Sequence, residues 1–528
     1  MDITSNSLNK VAVPSDLGFP PGKFLCFRKG QLETAEQVVA SSKPLCLLEA
    51  PTGIGKSLVA LTAHKLMNSP RTVYLVSTKQ LQDQIEQDFH IPVLKGRNNY
   101  PCLKFEKLFP EVTSEICREY LGDGQCEFER DCPYLRQKRE ALSAPICVLN
   151  YPLFFTEANY VGGFSNLTYL VADEVDKAED YLMSFIEVPI TPYLMRRLSI
   201  GPPRCKTKLE SWVEWVGDLK TRSQQEIKKM GLAEELSPVK LKDLIRLKKI
   251  NHRLGFLAAN LDDSWVMEQE GDKALGPIVF KPVRIGDFGP DNLWKHTQRS
   301  LGMSATIIGP QAMAMELGLR SWDVASIHLP SPFPIEDRRV EYVPVANVTH
   351  KTKEQAYPKL VRATEEILKK YPKEKVLVHT VSYDLRNYFI RHLTPTYHGI
   401  MTHETADRAI VLEKFKSYDR PVVLISPSME RGVDLPGDLC RVIVIAKLPY
   451  PNLASPQVNK RLHGFSDGNL WYARRTARSL VQMSGRATRY LGDWSISFIL
   501  DEQFGHLVSR SGNLFPSWYK EAVRSGSL

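Results

Sequence analysis

Residues 45–57 read Leu45-Cys46-Leu47-Leu48-Glu49-Ala50-Pro51-Thr52-Gly53-Ile54-Gly55-Lys56-Ser57. A short apolar string enters a loop containing two glycines, a lysine and a serine, and residues 58–67 continue with a helical pattern. Strand, glycine-rich loop and helix in that order are the setting of a phosphate-binding P-loop. Gly53 and Gly55 let backbone N–H groups curl around phosphate oxygens. Lys56 is expected to reach the β- and γ-phosphates and Ser57 to hold Mg²⁺, with Thr52 in the same cradle. The first position of the signature is Ala50 rather than glycine.

Outward from the loop, a second apolar string, Leu167 to Ala172, ends in Asp173-Glu174-Val175-Asp176. Carboxylates at the C-terminal end of a buried parallel strand are where a P-loop ATPase places its metal and its water-activating base. Asp173 is therefore the candidate Mg²⁺ ligand and Glu174 the candidate base. Three further segments follow in order. Leu301-Gly302-Met303-Ser304-Ala305-Thr306 has the small polar residues of a coupling loop, and Met429-Glu430-Arg431-Gly432-Val433-Asp434 follows the apolar strand candidate Val422 to Ile425. Gln482-Met483-Ser484-Gly485-Arg486-Ala487-Thr488-Arg489 carries two arginines three residues apart. On a helix, Arg486 and Arg489 share a face. A planar, permanently charged guanidinium suits the charge that builds on a transferring γ-phosphate.

Bulk properties bound the rest. A chain of 528 residues is too long for one core and suggests three or four domains. At 43% hydrophobic and 24% charged it is not a disordered, collagenous or coiled-coil chain. A net charge of +9 is compatible with a polyanionic partner. No apolar run approaches the roughly 18 residues of a membrane helix. Residues 1–16 are polar and lack a signal core. A cytoplasmic protein without a membrane partner is expected: nucleoid-associated in a prokaryote, or a phage or mobile-element protein in the host cytoplasm.

Five of the nine cysteines, Cys26, Cys46, Cys147, Cys205 and Cys440, are scattered, mostly in apolar strings, and read as buried small hydrophobes. The other four, Cys102, Cys117, Cys126 and Cys132, fall within 31 residues between the P-loop and the Asp-Glu box. Clustered thiols in a reducing compartment hold a metal more often than they pair. Their gaps of 14, 8 and 5 residues do not match zinc ribbons or knuckles. Four thiolates suffice for a 4Fe–4S cluster, and zinc is the alternative.

The five ordered segments resemble the motifs of a superfamily 2 helicase, which binds ATP between two RecA-like domains. The strings Leu94-Lys95-Gly96-Arg97-Asn98-Asn99-Tyr100-Pro101-Cys102-Leu103, Cys126 to Cys132 and Val148-Leu149-Asn150-Tyr151 resemble the XPD/DinG group of iron–sulfur helicases. The last cysteine gap looks more like the DinG branch. The resemblance spans residues 27–501 and implies an α/β chain of two RecA-like P-loop domains, with an iron–sulfur insertion and a helical arch insertion in the first. It implies ATP, Mg²⁺ and a 4Fe–4S cluster as cofactors. It also implies 5′→3′ translocation on single-stranded DNA by a monomeric motor acting on forked or tailed duplexes or an RNA–DNA hybrid. Phe27-Arg28-Lys29-Gly30-Gln31 resembles the adenine-recognition segment, which assigns Gln31 to adenine with Arg28 nearby. Gly432 and Asp434 join the nucleotide set, and Gln482, Arg486 and Arg489 join Lys56, Asp173 and Glu174 as catalytic residues. Thr78, Lys79, Arg97 and Tyr100 become candidate DNA contacts. The acidic box departs from the family's usual Asp-Glu-Ala-His: Asp176 stands where a histidine helps couple hydrolysis to the other domain. That departure keeps open a second reading, an ATP-gated remodelling protein without processive unwinding. A DinG-like nuclease is a third, though no additional domain is apparent.

The expected layout is an N-terminal lead over 1–25 and a first motor domain over 26–95, 146–176 and 275–325. A cluster domain over 96–145 and a helical arch over 177–274 interrupt it, and a second motor domain covers 326–528. Residues 201–260 hold thirteen Lys/Arg against seven Asp/Glu, an excess that suits a phosphate backbone and equally a solvated helix surface.

Overall fold

The computed structural model describes residues 13–526 apart from 52, 108, 110, 117–125, 232–237, 270–275, 430–434, 436 and 485–491. Its strands, in chain order, are β1 (Leu45–Glu49), β2 (Thr72–Val76), β3 (Ile146–Asn150), β4 (Leu167–Asp173), β5 (Val188–Ile190), β6 (Trp265–Gln269), β7 (Ile278–Pro282), β8 (Thr297–Ser304), β9 (Val324–His328), β10 (Arg338–Ala346), β11 (Val376–His379), β12 (Gly399–Thr402), β13 (Val422–Ser426), β14 (Val442–Ile445), β15 (Ser495–Asp501) and β16 (Val523–Ser525). The helices that matter to the site are α1 (Gln31–Ala40), α2 (Lys56–Leu66), α3 (Lys79–Phe89), α4 (Pro133–Ser143), α5 (Ala178–Ile186), α6 (Leu209–Gly231), α7 (Pro238–Asn260), α8 (Pro310–Glu316), α9 (Pro456–His463) and α10 (Gly468–Ser484).

Two parallel sheets organise the chain. The first runs β3-β2-β4-β8-β1-β9, the second β12-β13-β11-β14-β15-β10-β16. Their strands are almost continuous apolar runs because both faces are covered by helices. Leu45, Leu47, Val73 and Leu75 face one core, while Cys46, Leu48, Tyr74 and Val76 face another. This is the alternation that a strand's two-residue period dictates. Within the first sheet, β8 separates β4 from β1, so the P-loop strand, the Asp-Glu strand and the Ser-Ala-Thr strand end side by side. Glu49 registers with Ser304, and Asp173 with Met303. Gly302 makes this packing possible: a Cβ there would lie 2.8 Å from both Leu47 Cδ2 and Val175 Cγ2.

The first sheet is interrupted twice along the chain, between β2 and β3 and between β4 and β8. The first interruption carries α3, the cysteine segment and α4; the second carries α6 and α7, each of 23 residues. The stretch 177–274, expected to be helical, also contains β5 and β6, and β7 follows at 278–282. These three form a small antiparallel sheet in the order β5-β7-β6. Its apolar residues have a core of their own to fill, since Phe280 packs edge-on to Trp212 and stacked on Trp215 of α6. The two insertions meet where Cys102, Val112 and Phe105 pack against Leu241 and Ile245 of α7, and Lys249 Nζ lies 2.7 Å from Glu115 Oε1. Of the scattered cysteines, Cys46, Cys147 and Cys440 are buried as expected. Cys26 is exposed and Cys205 half-exposed, because both lie in loops outside the sheets.

Candidate functional site

The glycine-rich loop leaves β1 and enters α2 through Gly55, whose φ of +86° lies in the left-handed region. A Cβ there would also come within 2.5 Å of Gln31 Nε2. Gln31 opens α1, is buried, and donates from Nε2 to the Ile54 carbonyl at 2.7 Å, while its Oε1 accepts from the Arg28 backbone N–H at 2.7 Å. Arg28 donates to the Gly53 carbonyl at 2.5 Å. Lys56 Nζ folds back onto the Ala50 and Pro51 carbonyls at 3.3 and 3.2 Å. Arg28, Gln31 and the Gly53–Ile54 carbonyls thus form one hydrogen-bonded unit, with Gly55 against Gln31 and Lys56 tied to the start of the same loop. Thr52 lies outside the described residues.

Beside the loop, Tyr74 of β2 links two candidate metal ligands. Its hydroxyl donates to Ser57 Oγ at 3.1 Å and lies 3.4 Å from Asp173 Oδ2. Burial, reinforced by the adjacent Asp173, holds this phenol protonated, well above its ordinary range. Tyr151 donates to the Asp173 carbonyl at 2.8 Å. Burial pushes the Asp173 carboxyl up to about 6, against the pull of Lys56 and with the help of Glu174. Sequence reasoning missed Tyr74 in this role. The available signal was a tyrosine midway along the strand next to the Asp-Glu strand, facing the P-loop side.

Glu174 has φ +50°, an uncommon backbone for a residue with a side chain. Its carboxylate accepts from Ser77 Oγ and from Lys177 Nζ at 2.8 Å. Burial alone would raise this carboxyl, but the Lys177 ammonium outweighs it and holds the group below its usual range. Glu174 is therefore ionised at neutral pH and able to accept a proton.

Asp176 is the busiest residue of the cleft. It is only 3% exposed. Its carboxylate accepts from Ser304 Oγ at 2.5 Å and from Gln482 Nε2, and its carbonyl accepts from Arg478 Nη1 at 2.7 Å. Ser304 Oγ lies 3.1 Å from Thr306 Oγ1, which Gln482 Nε2 approaches at 3.3 Å. One side chain joins the Asp-Glu box, the Ser-Ala-Thr loop and α10 of the second sheet's unit. Its described partners here are all donors. Arg486, Arg489, Gly432 and Asp434 lie outside the described residues. The strand before Gly432 ends at Ser426, whose Oγ accepts from the Met429 N–H at 3.0 Å and sits 2.7 Å from His403 Nε2.

Of the candidate DNA contacts, Thr78 is exposed and caps α3, accepting from the Leu81 N–H at 3.2 Å. Lys79 reaches Asn99 Oδ1 at 2.5 Å, which joins this segment to 97–100. The Arg97 guanidinium lies over the Tyr134 ring, 4.2 Å from its centroid. Tyr100 meets the same ring edge-on and accepts from the Lys95 N–H at 3.1 Å. Tyr134, which donates to Glu157 Oε1 at 2.8 Å, is a supporting residue that sequence reasoning did not identify.

Cys102 and Cys132 are buried and Cys126 half-buried, all three as free thiols, and Cys132 stands at the N-terminus of α4. Burial raises the Cys102 thiol, and Cys126 and Cys132 lie close enough to add to that rise. Cys117 lies outside the described residues. Among those described, no three His, Cys, Asp or Glu side chains converge as a single metal ion requires.

Comparisons with known proteins bear on this geometry. Residues 28–188 match the DEAD/DEAH box helicase family and residues 364–522 the helicase C-terminal domain family. A probable ATP-dependent helicase of Methanocaldococcus jannaschii is 22% identical over 600 aligned positions, covering 88% of this chain and 89% of that one. The ATP-dependent DNA helicase DDX11 of Danio rerio is 26% identical over 114 residues, 19% of this chain and 12% of that one. Among solved structures, an XPD helicase superposes with a TM-score of 0.64 at 17% identity, covering 95% of this chain and 99% of the other. Xpd4 of S. tokodaii superposes at 0.58 and 17% identity, over 95% and 100%.

Proposed function

We propose, from the premise that the chain belongs to the XPD/DinG type of superfamily 2 helicases and is an ATP-dependent helicase, that it moves 5′→3′ on single-stranded DNA and opens tailed or forked duplexes, with R-loops and D-loops as related substrates. Gln31 and Arg28 take the adenine end of ATP. Lys56 leaves the Ala50 and Pro51 carbonyls for the β- and γ-phosphates, exchanging two neutral acceptors for a charged one. Glu174, ionised through Lys177, takes the proton of the attacking water. Gln482 is held on Asp176, while Arg486 and Arg489 of the second unit meet the charge growing on the γ-phosphate. Ser57 and Asp173, bridged by Tyr74, would hold Mg²⁺, which neutralises phosphate charge when bound. Thr78, Lys79, Arg97 and Tyr100 guide the strand.

Cys102, Cys117, Cys126 and Cys132 would hold a 4Fe–4S cluster. The donor set fits: the three described thiols are free, and Cys126 and Cys132 lie close enough to Cys102 to raise it. Such a cluster would supply a rigid knot that braces the segment against α7. No described helix is long and apolar enough to cross a membrane, and we assign the protein to the cytoplasm.

The observation that carries the reading is Asp176. A box tied to Ser304 and to Gln482 across the two sheets gives hydrolysis a route to domain movement. That favours a motor over the remodelling ATPase. Anaerobic ATP hydrolysis with and without single-stranded DNA tests it. Stimulation by DNA, and a loss of roughly a hundredfold or more in Lys56→Ala, are expected. Hydrolysis indifferent to DNA would contradict the reading. A colourless protein with stoichiometric zinc would replace the cluster by that ion.

A further inference from the structure

The two motor units also touch beside the ATP cleft, along the helix that carries Gln482. Helix α10 of the second unit presents Arg474, Arg475 and Arg478, and their carboxylate partners all belong to the first unit. Arg474 grips Glu316 at the end of α8 with two parallel bonds of 2.8 and 2.9 Å, and its Nε donates to the Ile308 carbonyl at 3.0 Å. Arg475 Nη1 reaches Glu179 and Asp180, both at 3.0 Å, in the first turn of α5. Arg478 adds a 3.6 Å approach to Glu179. The Arg474 and Glu316 side chains are only 6% and 11% exposed. In so dry a place, removing either partner leaves the other buried and unpaired.

A second patch reinforces the first. Glu268 of β6, at the base of the arch insertion, accepts from Ser455 Oγ at 2.6 Å and from the Gln457 N–H at 2.9 Å. It thereby places a carboxylate on the N-terminus of α9, where the helix dipole favours one. Gln457 returns a bond to the Val283 carbonyl at 3.0 Å, and the Arg284 guanidinium lies 5.5 Å from the centre of the Phe465 ring. Glu179, Glu316 and Arg474 of the first patch and Val283 and Arg284 of the second line one crevice between the units.

None of these contacts involves a residue assigned to nucleotide. We infer that the arginine row of α10 and the Glu268 cap on α9 form a clamp that holds the two motor units together before ATP arrives. ATP binding then alters the cleft locally, through Lys56, without first having to bring distant domains together. Arg474 and Arg475 act as positioning residues. They set the seat of α10, and so of Gln482, while Arg28, Gln31, Lys56 and Ser57, assigned to adenine, phosphate and Mg²⁺, sit on the first unit. The kinetic part of this inference rests on the motor reading above; its structural part does not.

The test uses the full chain in small-angle X-ray scattering without nucleotide or DNA, beside steady-state ATPase kinetics. Wild type should be compact and should hardly change its radius of gyration on adding a non-hydrolysable ATP analogue and single-stranded DNA. Arg475→Met and Glu268→Gln should expand without ligand and contract when both ligands are added. Arg475→Met should lose roughly tenfold in kcat with KM for ATP within about twofold, and Arg475→Lys should recover much of it. The pair Arg474→Glu with Glu316→Arg should restore the compactness that Arg474→Glu alone removes. Because Glu268 lies outside both motor cores, its variant keeps the test informative if an arginine variant fails to fold. An expanded wild type, or ligand-free variants as compact as wild type, would overturn the clamp.

Discussion

Tyr74 is one tyrosine in a buried strand, yet its hydroxyl spans Ser57 and Asp173, the two groups that would share a magnesium ion. Tyr74→Phe keeps the packing and deletes the bridge. We expect kcat to fall roughly three- to tenfold and the Mg²⁺ concentration for half-maximal rate to rise, with little change in melting temperature, since a neutral hydrogen bond is worth about 1 kcal/mol. An unchanged Mg²⁺ dependence would count against the role. His64 of α2 offers a second test. Burial first, and then Lys65, lower its imidazole to about 4. Its Nδ1 lies 2.9 Å from Thr72 Oγ1. The folded protein keeps this ring neutral down to that pH, whereas the unfolded chain protonates it near 6.5. Its contribution to stability is therefore complete above pH 6.5 and declines as the pH falls toward 4. The melting temperature of wild type should drop more between pH 6.5 and 4.5 than that of His64→Gln; equal slopes would refute the assignment.

At the scale of elements, the junction of the cysteine segment with α7 is the most sensitive point. Leu241 and Ile245 are buried against Cys102 and Val112 in a small separate core. Leu241→Ala should cost about 2–5 kcal/mol locally. We expect faster protease cleavage within 96–145 and faster loss of bound iron in air, while the main unfolding transition moves little. Retention of iron at the wild-type rate would show that α7 does not brace the segment. Much of this architecture was legible in the chain. The strings 45–48, 167–172 and 422–425 are strands to within a residue or two, and the pattern over 58–67 is a helix. These segments announce themselves because a doubly buried strand must be apolar throughout and a packed helix must be striped. The small sheet β5-β7-β6 did not announce itself. Val188-Pro189-Ile190 is too short to show a period, and only its antiparallel pairing with β7 makes it a strand. In the site, the loop and the Asp-Glu box could be read from residue type and order, while the arginine segment lies outside the described residues. Tyr74, Tyr134 and the Asp176 links could not, because they are pairings between strands and helices far apart in sequence.

For the whole molecule, the account makes one machine of two parallel sheets. The first carries the P-loop, the Asp-Glu box and two insertions; the second brings α10 across the cleft to Asp176 and Glu179. A charge of +9 spread over such a body suits a track along a phosphate backbone. The most direct test of the central claim is strand displacement by anaerobically purified protein, with ATP and Mg²⁺, on matched duplexes bearing either a 5′ or a 3′ single-stranded tail. Wild type should release the strand from the 5′-tailed duplex and leave the 3′-tailed one intact, and both Lys56→Ala and Cys126→Ser should fail on either. Release from the 3′-tailed duplex alone, or DNA-stimulated hydrolysis with no strand released from either substrate, would contradict a cluster-dependent 5′→3′ helicase.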